Sequence, residues 1–177
     1  MKPFGIIMFV ACLLVTSVRA DYWSALQQTQ RDQAILTEAL KYPEGAWGGV
    51  NYKGEPNECK GWVQKVVYDA SRKLVSLPLN QPAPNYEFWQ NSTRVSGFCA
   101  SPQMFQPGWI IQMRYYSQTT GALLSGHTAI VINVTSTGIN FIECNWQKDN
   151  RVYRRKTVSF ADFLKQTKGY YTVYQTR

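Results

Sequence analysis

The chain changes periodicity part-way along, and that change constrains its fold more than any single motif. From Trp109 onward the runs Trp109–Tyr116, Thr128–Val134, Gly138–Asn145 and Arg151–Val158 are rich in β-branched and aromatic residues, with Gly, Ser and Thr turns between them. Connections that short join antiparallel neighbours, because a parallel pair needs a long crossover. Phe160–Gln166 reads as a short helix and Tyr170–Gln175 as a closing strand. Upstream the spacing is helical. Tyr22, Trp23, Leu26, Ile35, Leu36, Ala39 and Leu40 mark an amphipathic helix over 22–42, stopped by Pro43 and the glycines after it. Trp62, Val63, Val66, Val67 and Ala70 mark one buried face of a second helix, with Asn57 as its expected cap.

Between these blocks lie two irregular stretches. Residues 44–58 are rich in Gly, Asn, Pro and Glu, and five of the eight prolines fall within 76–108, with room for a short helix around Tyr86–Gln90. The resulting expectation is an α+β domain: N-terminal helices packed on an antiparallel sheet of about five strands. With 177 residues and a hydrophobic fraction of 45%, there is material for one packed core. Three segments are expected: a signal peptide at 1–20, a helical segment at 21–44 and the main domain at 45–177.

The leader follows from Lys2, the apolar run Phe4–Val15, and the small residues Val18 and Ala20 around Arg19. About a dozen apolar residues are too few to span a bilayer core of ~30 Å, so cleavage after Ala20 is expected, a retained anchor being the alternative. No second apolar stretch of spanning length follows, so the mature chain is expected to be secreted, extracellular or periplasmic, without a stable membrane span. Of 19 basic residues, Lys2 and Arg19 leave with the leader, so 17 face 11 acidic ones and the mature net charge is +6. That excess favours an anionic surface such as a cell-wall polymer. Nucleic acid is not expected, since charge alone speaks for it. The basic run Arg151, Arg154, Arg155 and Lys156 reads as the solvated face of an edge strand.

Scarcity identifies the candidate chemistry. His127 is the only histidine, so any cysteine–histidine chemistry must use it as base. Cys12 would leave with the signal, and of the three remaining thiols Cys59 stands at the expected start of the second helix, where unpaired N–H groups and the helix dipole favour a thiolate. Cys99 lies in a loop and Cys144 inside a strand; a Cys99–Cys144 disulfide that leaves Cys59 free is the favoured pairing. Glu143 and Asn145 sit two apart on an expected strand and so would share a face beside His127, where either could accept from the imidazole. Trp89, Trp109 and Trp146 are core residues or walls of a groove. Asn91-Ser92-Thr93 and Asn133-Val134-Thr135 match the glycosylation pattern, which matters only in a eukaryotic host.

Three pieces in this order resemble the cysteine, histidine-dependent amidohydrolase/peptidase (CHAP) family, part of the papain-like group that includes NlpC-type cell-wall hydrolases. They are Asn57-Glu58-Cys59-Lys60-Gly61-Trp62-Val63, Gly126-His127-Thr128-Ala129-Ile130-Val131 and Ile142-Glu143-Cys144-Asn145-Trp146. Pro107-Gly108 before a strand is similar to the family's usual turn, and the resemblance covers residues 45–175. It implies a papain-like (NlpC-type) fold with Cys59 as nucleophile, His127 as base, and Glu143 with Asn145 as orienting groups. It also implies amide cleavage in peptidoglycan, by an amidase or an endopeptidase. A papain-like peptidase acting on proteins, or a non-catalytic secreted binding or toxin-like module, are the alternatives. The chain departs from the family where Glu58 replaces a frequent Gln and Trp109 replaces an Asp after the glycine. The loop before the cysteine offers only Glu44, Glu55 and Glu58 as acidic residues, so no calcium, and no other metal or cofactor, is expected. Partners would be peptidoglycan or a peptide, with an immunity or inhibitor protein left open.

Overall fold

The computed structural model describes residues 22–50, 58–78, 88–89 and 92–177. Among them, six strands, three α-helices of eight or more residues, a helical turn at 22–25 and a 3-10 turn at Pro102–Met104 make up the regular structure. The strands are β1 Val95–Phe98, β2 Ile110–Tyr116, β3 Leu123–Val134, β4 Gly138–Cys144, β5 Val152–Ser159 and β6 Tyr171–Thr176. They form one antiparallel sheet in the order β1-β6-β2-β3-β4-β5. β2 to β5 are the expected meander, β6 returns to pair with β2, and β1 closes its outer edge. The sheet therefore has six strands rather than about five. β1 was not expected, because Val95-Ser96-Gly97-Phe98 is short and sits among prolines, and only its distant partner β6 makes it a strand.

Alternation along the strands divides the core between the two faces of the sheet. Ile110, Ile130, Ile142, Cys144 and Tyr174 pack against two helices, α1 (Gln28–Ala39) and α2 (Cys59–Ala70). Trp62, Val63, Val66 and Val67 of α2 are fully buried there, each worth roughly 1.5–3 kcal/mol of removed apolar surface. Ile35 and Ala39 of α1 join the same cluster, so the N-terminal helix shares the core of the main domain. On the other face Ile111, Met113, Ala129, Val131, Phe141 and Val173 pack under Phe105 and under Phe163 of α3 (Phe160–Thr167).

The first helix is shorter than the 22–42 expected. Gln27, in extended conformation, starts it afresh through a reciprocal capping box with Gln30. The cap of α2 is Glu58, which is exposed and makes no side-chain cap bond. The leader 1–20 with Cys12, Asn57, most of the short helix at 86–90 and Asn91 lie outside the described residues. Among the described residues no helix is long and apolar enough to cross a membrane.

The expected Cys99–Cys144 disulfide is contradicted. Cys99 follows β1 and Cys144 ends β4, four strand positions apart in the sheet order. At about 4.8 Å per step that is roughly three times the Cα separation a disulfide spans. Cys99 is also exposed and Cys144 buried, and no disulfide joins any of the three described cysteines.

The turn before β2 presses on α1. Gly108 has φ +85°, its N–H donates to the Val131 carbonyl (2.9 Å), and a Cβ there would collide with the Asp32 carbonyl. Trp109 Nε1 donates to Asp32 Oδ2 (3.2 Å), and so does Gln175 Nε2 (3.2 Å). Gly108→Ala should therefore cost on the order of 2–4 kcal/mol, read as a lowered denaturation midpoint; an unchanged midpoint would contradict this packing.

Candidate active site

Strand register gathers the charged groups. Met113 pairs with His127, Ala129 with Glu143, and Phe141 with Arg155, so the three polar side chains lie on the face that carries Met113, Ala129 and Phe141. His127 Nε2 and Glu143 Oε2 are 2.8 Å apart, with His127 6% exposed and Glu143 fully buried. Cys59, at the first position of α2, is the other partner of the imidazole, acting on it through its charge and a hydrogen bond. His127 thus has both Glu143 and Cys59 as partners.

His127 lies within a strand, whereas the run expected as a strand, Thr128–Val134, begins just after it. β3 begins four residues earlier, at Leu123, and the β2–β3 pairing continues through Gly126 to the hairpin end. The histidine is therefore held by ladder bonds on both sides. Its ring packs edge-on against Trp146 (centroids 5.4 Å, 73°) and near Tyr115 (6.1 Å).

Asn145 leaves the strand and is bonded within the loop that follows it. β4 ends at Cys144, Asn145 turns to φ +63°, and its Oδ1 accepts from Asn150 N–H (2.9 Å) while its own N–H donates to the Arg151 carbonyl (2.8 Å). The alternation that would have put Asn145 with Glu143 stops one residue too early. Asn is among the few side chains that tolerate the left-handed region, which suits it to this turn. Its effect on the site passes through the loop that seats Trp146.

Arg155 is the participant that sequence reasoning missed. It is not a solvated cation of an edge strand. Its Nε donates to Glu143 Oε1 and its Nη2 to Glu143 Oε2 (3.0 Å), with the side chain 15% exposed. Nη2 also donates to Tyr115 Oη (2.8 Å), and the guanidinium lies over the Trp146 ring at 3.9 Å. The only signal available was its place in a strand paired with that of Glu143, and the β4–β5 bulge between Ile139 and Phe141 shifts that register.

Charges in the site are set by burial against partners. Burial alone would lower the His127 pKa, but the Cys59 charge, the hydrogen bond to Cys59 and then Glu143 outweigh it and raise it from 6.5 to about 9. Burial would raise Glu143, and the hydrogen bond and charge of His127, followed by Arg155, hold it below the ordinary carboxyl value. Burial pushes the Tyr115 hydroxyl up to about 12, so it stays protonated, and pushes the neighbouring Cys144 thiol up to about 12 as well. Burial thus makes the Cys144 thiol inert. Among the described residues no group of three or more His, Cys, Asp or Glu side chains is placed to hold a metal ion.

No protein-family model matches the chain, and no curated protein matches it. Among solved structures, one similar chain is reported as "The crystal structure of Ly7917", with 16% identity and a TM-score of 0.49, aligned over 82% of this chain and 62% of that one. The chain thus spans under two thirds of that structure's length.

Glu143 carries a pH dependence. Its folded pKa lies below the ordinary 4.5, so its stabilising contribution is present above pH 4.5 and is lost as pH falls through the lower, folded value. Glu143→Gln leaves Arg155 without its buried counter-charge, which should cost roughly 3–5 kcal/mol near neutral pH. Thermal unfolding should show a Tm deficit that is full above pH 4.5 and shrinks as pH falls below it. A deficit of equal size at both ends would contradict an ionised Glu143.

Proposed function

We propose that the protein is a cysteine hydrolase that cleaves amide bonds through Cys59, His127 and Glu143, on a papain-like, NlpC-type fold related to the CHAP family. The observation that carries this reading is the buried His127, whose Nε2 meets Glu143 (2.8 Å) and whose other partner is Cys59 at a helix start. A lone buried histidine needs only one acceptor. This one has both a carboxylate and a thiol as partners, the arrangement of nucleophile, base and orienting group.

In this reaction His127 takes the Cys59 proton, and the thiolate adds to the amide carbonyl. The resulting oxyanion is met by N–H groups of the first turn of α2, on which Glu58 places no side-chain cap bond. His127 returns the proton to the leaving amine, which departs as the C–N bond breaks, and an acyl-thioester remains on Cys59. Water, deprotonated by His127, then releases the acid and regenerates the thiol. Glu143 holds the imidazole for Cys59 and offsets the imidazolium charge.

The substrate is proposed to be peptidoglycan, cut as an amidase or an endopeptidase, by a chain exported through the leader 1–20. Two features favour an anionic polymer. The mature chain carries a net charge of +6, as counted above, and Trp47 (56% exposed) and Trp146 (38% exposed) offer flat surfaces near the site. Trp47 is tied to the loop beyond Trp146 through its bridge to Arg151.

Incubation of the mature protein with purified peptidoglycan and with casein tests the reading. Release of muropeptides should fall to background in Cys59→Ala and His127→Ala. Glu143→Gln should lose on the order of 10²–10⁴ in kcat, whereas Asn145→Ala should lose less than about tenfold, because it acts only through the Trp146 loop. Casein cleavage in place of muropeptide release would move the substrate to proteins. Activity that survives Cys59→Ala, or no turnover of either substrate, would sink the proposal.

A further inference from the structure

We propose that Arg155 is a positioning residue of the Cys59–His127 pair: it clamps Glu143 by both oxygens, keeping the carboxylate ionised and aimed at His127 Nε2. The inference rests on the functional reading above and adds a residue to it.

The clamp has the geometry that only an arginine provides. Nε and Nη2 form a fork on the two oxygens of Glu143, and Oε2 is shared between Nη2 (3.0 Å) and His127 Nε2 (2.8 Å). A planar guanidinium can do this with two parallel bonds, whereas an ammonium is a single point. The guanidinium is itself fixed from two further directions. Tyr115 Oη on β2 accepts from Nη2 (2.8 Å), and the Trp146 ring lies against its plane (3.9 Å). A cation held by β2, β4 and the loop after β4 is not a solubilising surface charge.

Two opposed effects decide what the clamp does. Arg155 repels an imidazolium directly, and it also keeps Glu143 charged. The second effect is larger, because Arg155 bonds both oxygens of the fully buried carboxylate and meets His127 only through it. Without Arg155 the counter-charge left to Glu143 is the imidazolium itself, whose proton it would then take. Neutral Glu143 would offer His127 no countercharge, and the imidazole would give up the proton it holds for the thiol. The titratable or charged groups around Glu143 are Tyr115 from β2, His127 from β3, Cys144 beside it on β4, Arg155 and the cross-strand partner Tyr153 from β5 and, through His127, Cys59 from α2. None but Arg155 is a permanent cation, so none can replace it.

The test is the rate of Cys59 alkylation by iodoacetamide against pH, read by peptide mass spectrometry on the full mature chain, with Tm recorded for every variant. Alkylation proceeds through the thiolate, so it reports the proton balance of the pair without needing a substrate. Arg155→Gln should react at least about tenfold more slowly than the unsubstituted protein near pH 5.5, and within about threefold of it near pH 9.5, where an ordinary thiol is already ionised. Arg155→Lys, which restores charge without the fork, should recover part of the loss. Should Arg155→Gln fail to fold, Tyr115→Phe, which removes one anchor and leaves the charge, must still slow the acid reaction a few-fold. An Arg155→Gln profile superimposable on that of the unsubstituted protein, an equal loss at both pH values, or no effect of Tyr115→Phe overturns the positioning role. An unsubstituted protein that reacts near pH 5.5 no faster than a free cysteine overturns the functional reading and the proposal with it.

Discussion

A carboxylate with no exposed surface, placed in the middle of a β-sheet, is the constraint on which the rest of the site depends. Glu143 lies on β4, flanked by β3 and β5, and water cannot reach it. In that position an unpaired negative charge would cost several kcal/mol, a large part of the margin by which a domain of this size is stable. The structure compensates it from both sides, with Arg155 on β5 and His127 on β3. The His127 that a cysteine would need is thereby also the His127 that the buried charge needs, so packing and chemistry select the same geometry.

The fold brings the thiol to this pair. α2 lies on the opposite face of the sheet, held by Trp62, Val63, Val66 and Val67, and its first turn carries Cys59 to the imidazole. Cys144 on β4 points by alternation into the helix-side core, where a Cβ on Gly48 would collide with its sulfur. The two buried thiols are thus kept apart in character. One stands at a helix N-terminus with donors around it, and the other is packed in apolar surroundings that oppose ionisation. The segment from Gly45 to Gly48 runs along the loop after β4, with Gly45 N–H on the Val152 carbonyl (2.8 Å) and Gly48 N–H on the Asn150 carbonyl (2.8 Å). That loop seats Trp146 over Arg155 and beside His127, which shields the ion pairs from solvent.

Much of the fold and part of the site were legible in the sequence, for reasons that are local. The strands β2 to β5 and the buried face of α2 announce themselves by periodicity, which neighbours along the chain determine. His127 was legible because it has no competitor, and Glu143 because strand alternation put it on a face beside His127. What was not legible depends on partners distant in sequence. β1 becomes a strand only beside β6. Arg155 becomes part of the site only once the bulged β4–β5 register is known. Asn145 was misplaced because the point where β4 stops is set by the loop it caps, not by the alternation before it. The Cys99–Cys144 pairing failed for the same reason, since nothing local reveals that β6, β2 and β3 stand between them.

The most direct measurement of the central claim is the titration of the single imidazole by NMR, which a chain with one histidine allows without assignment ambiguity. If Glu143 and Cys59 together hold the proton on His127, the ring titrates near pH 9, and Cys59→Ala moves that midpoint down. An imidazole that titrates at or below about 6.5, unmoved by Cys59→Ala, would mean that burial rather than the pair sets its charge, and would contradict the site described here.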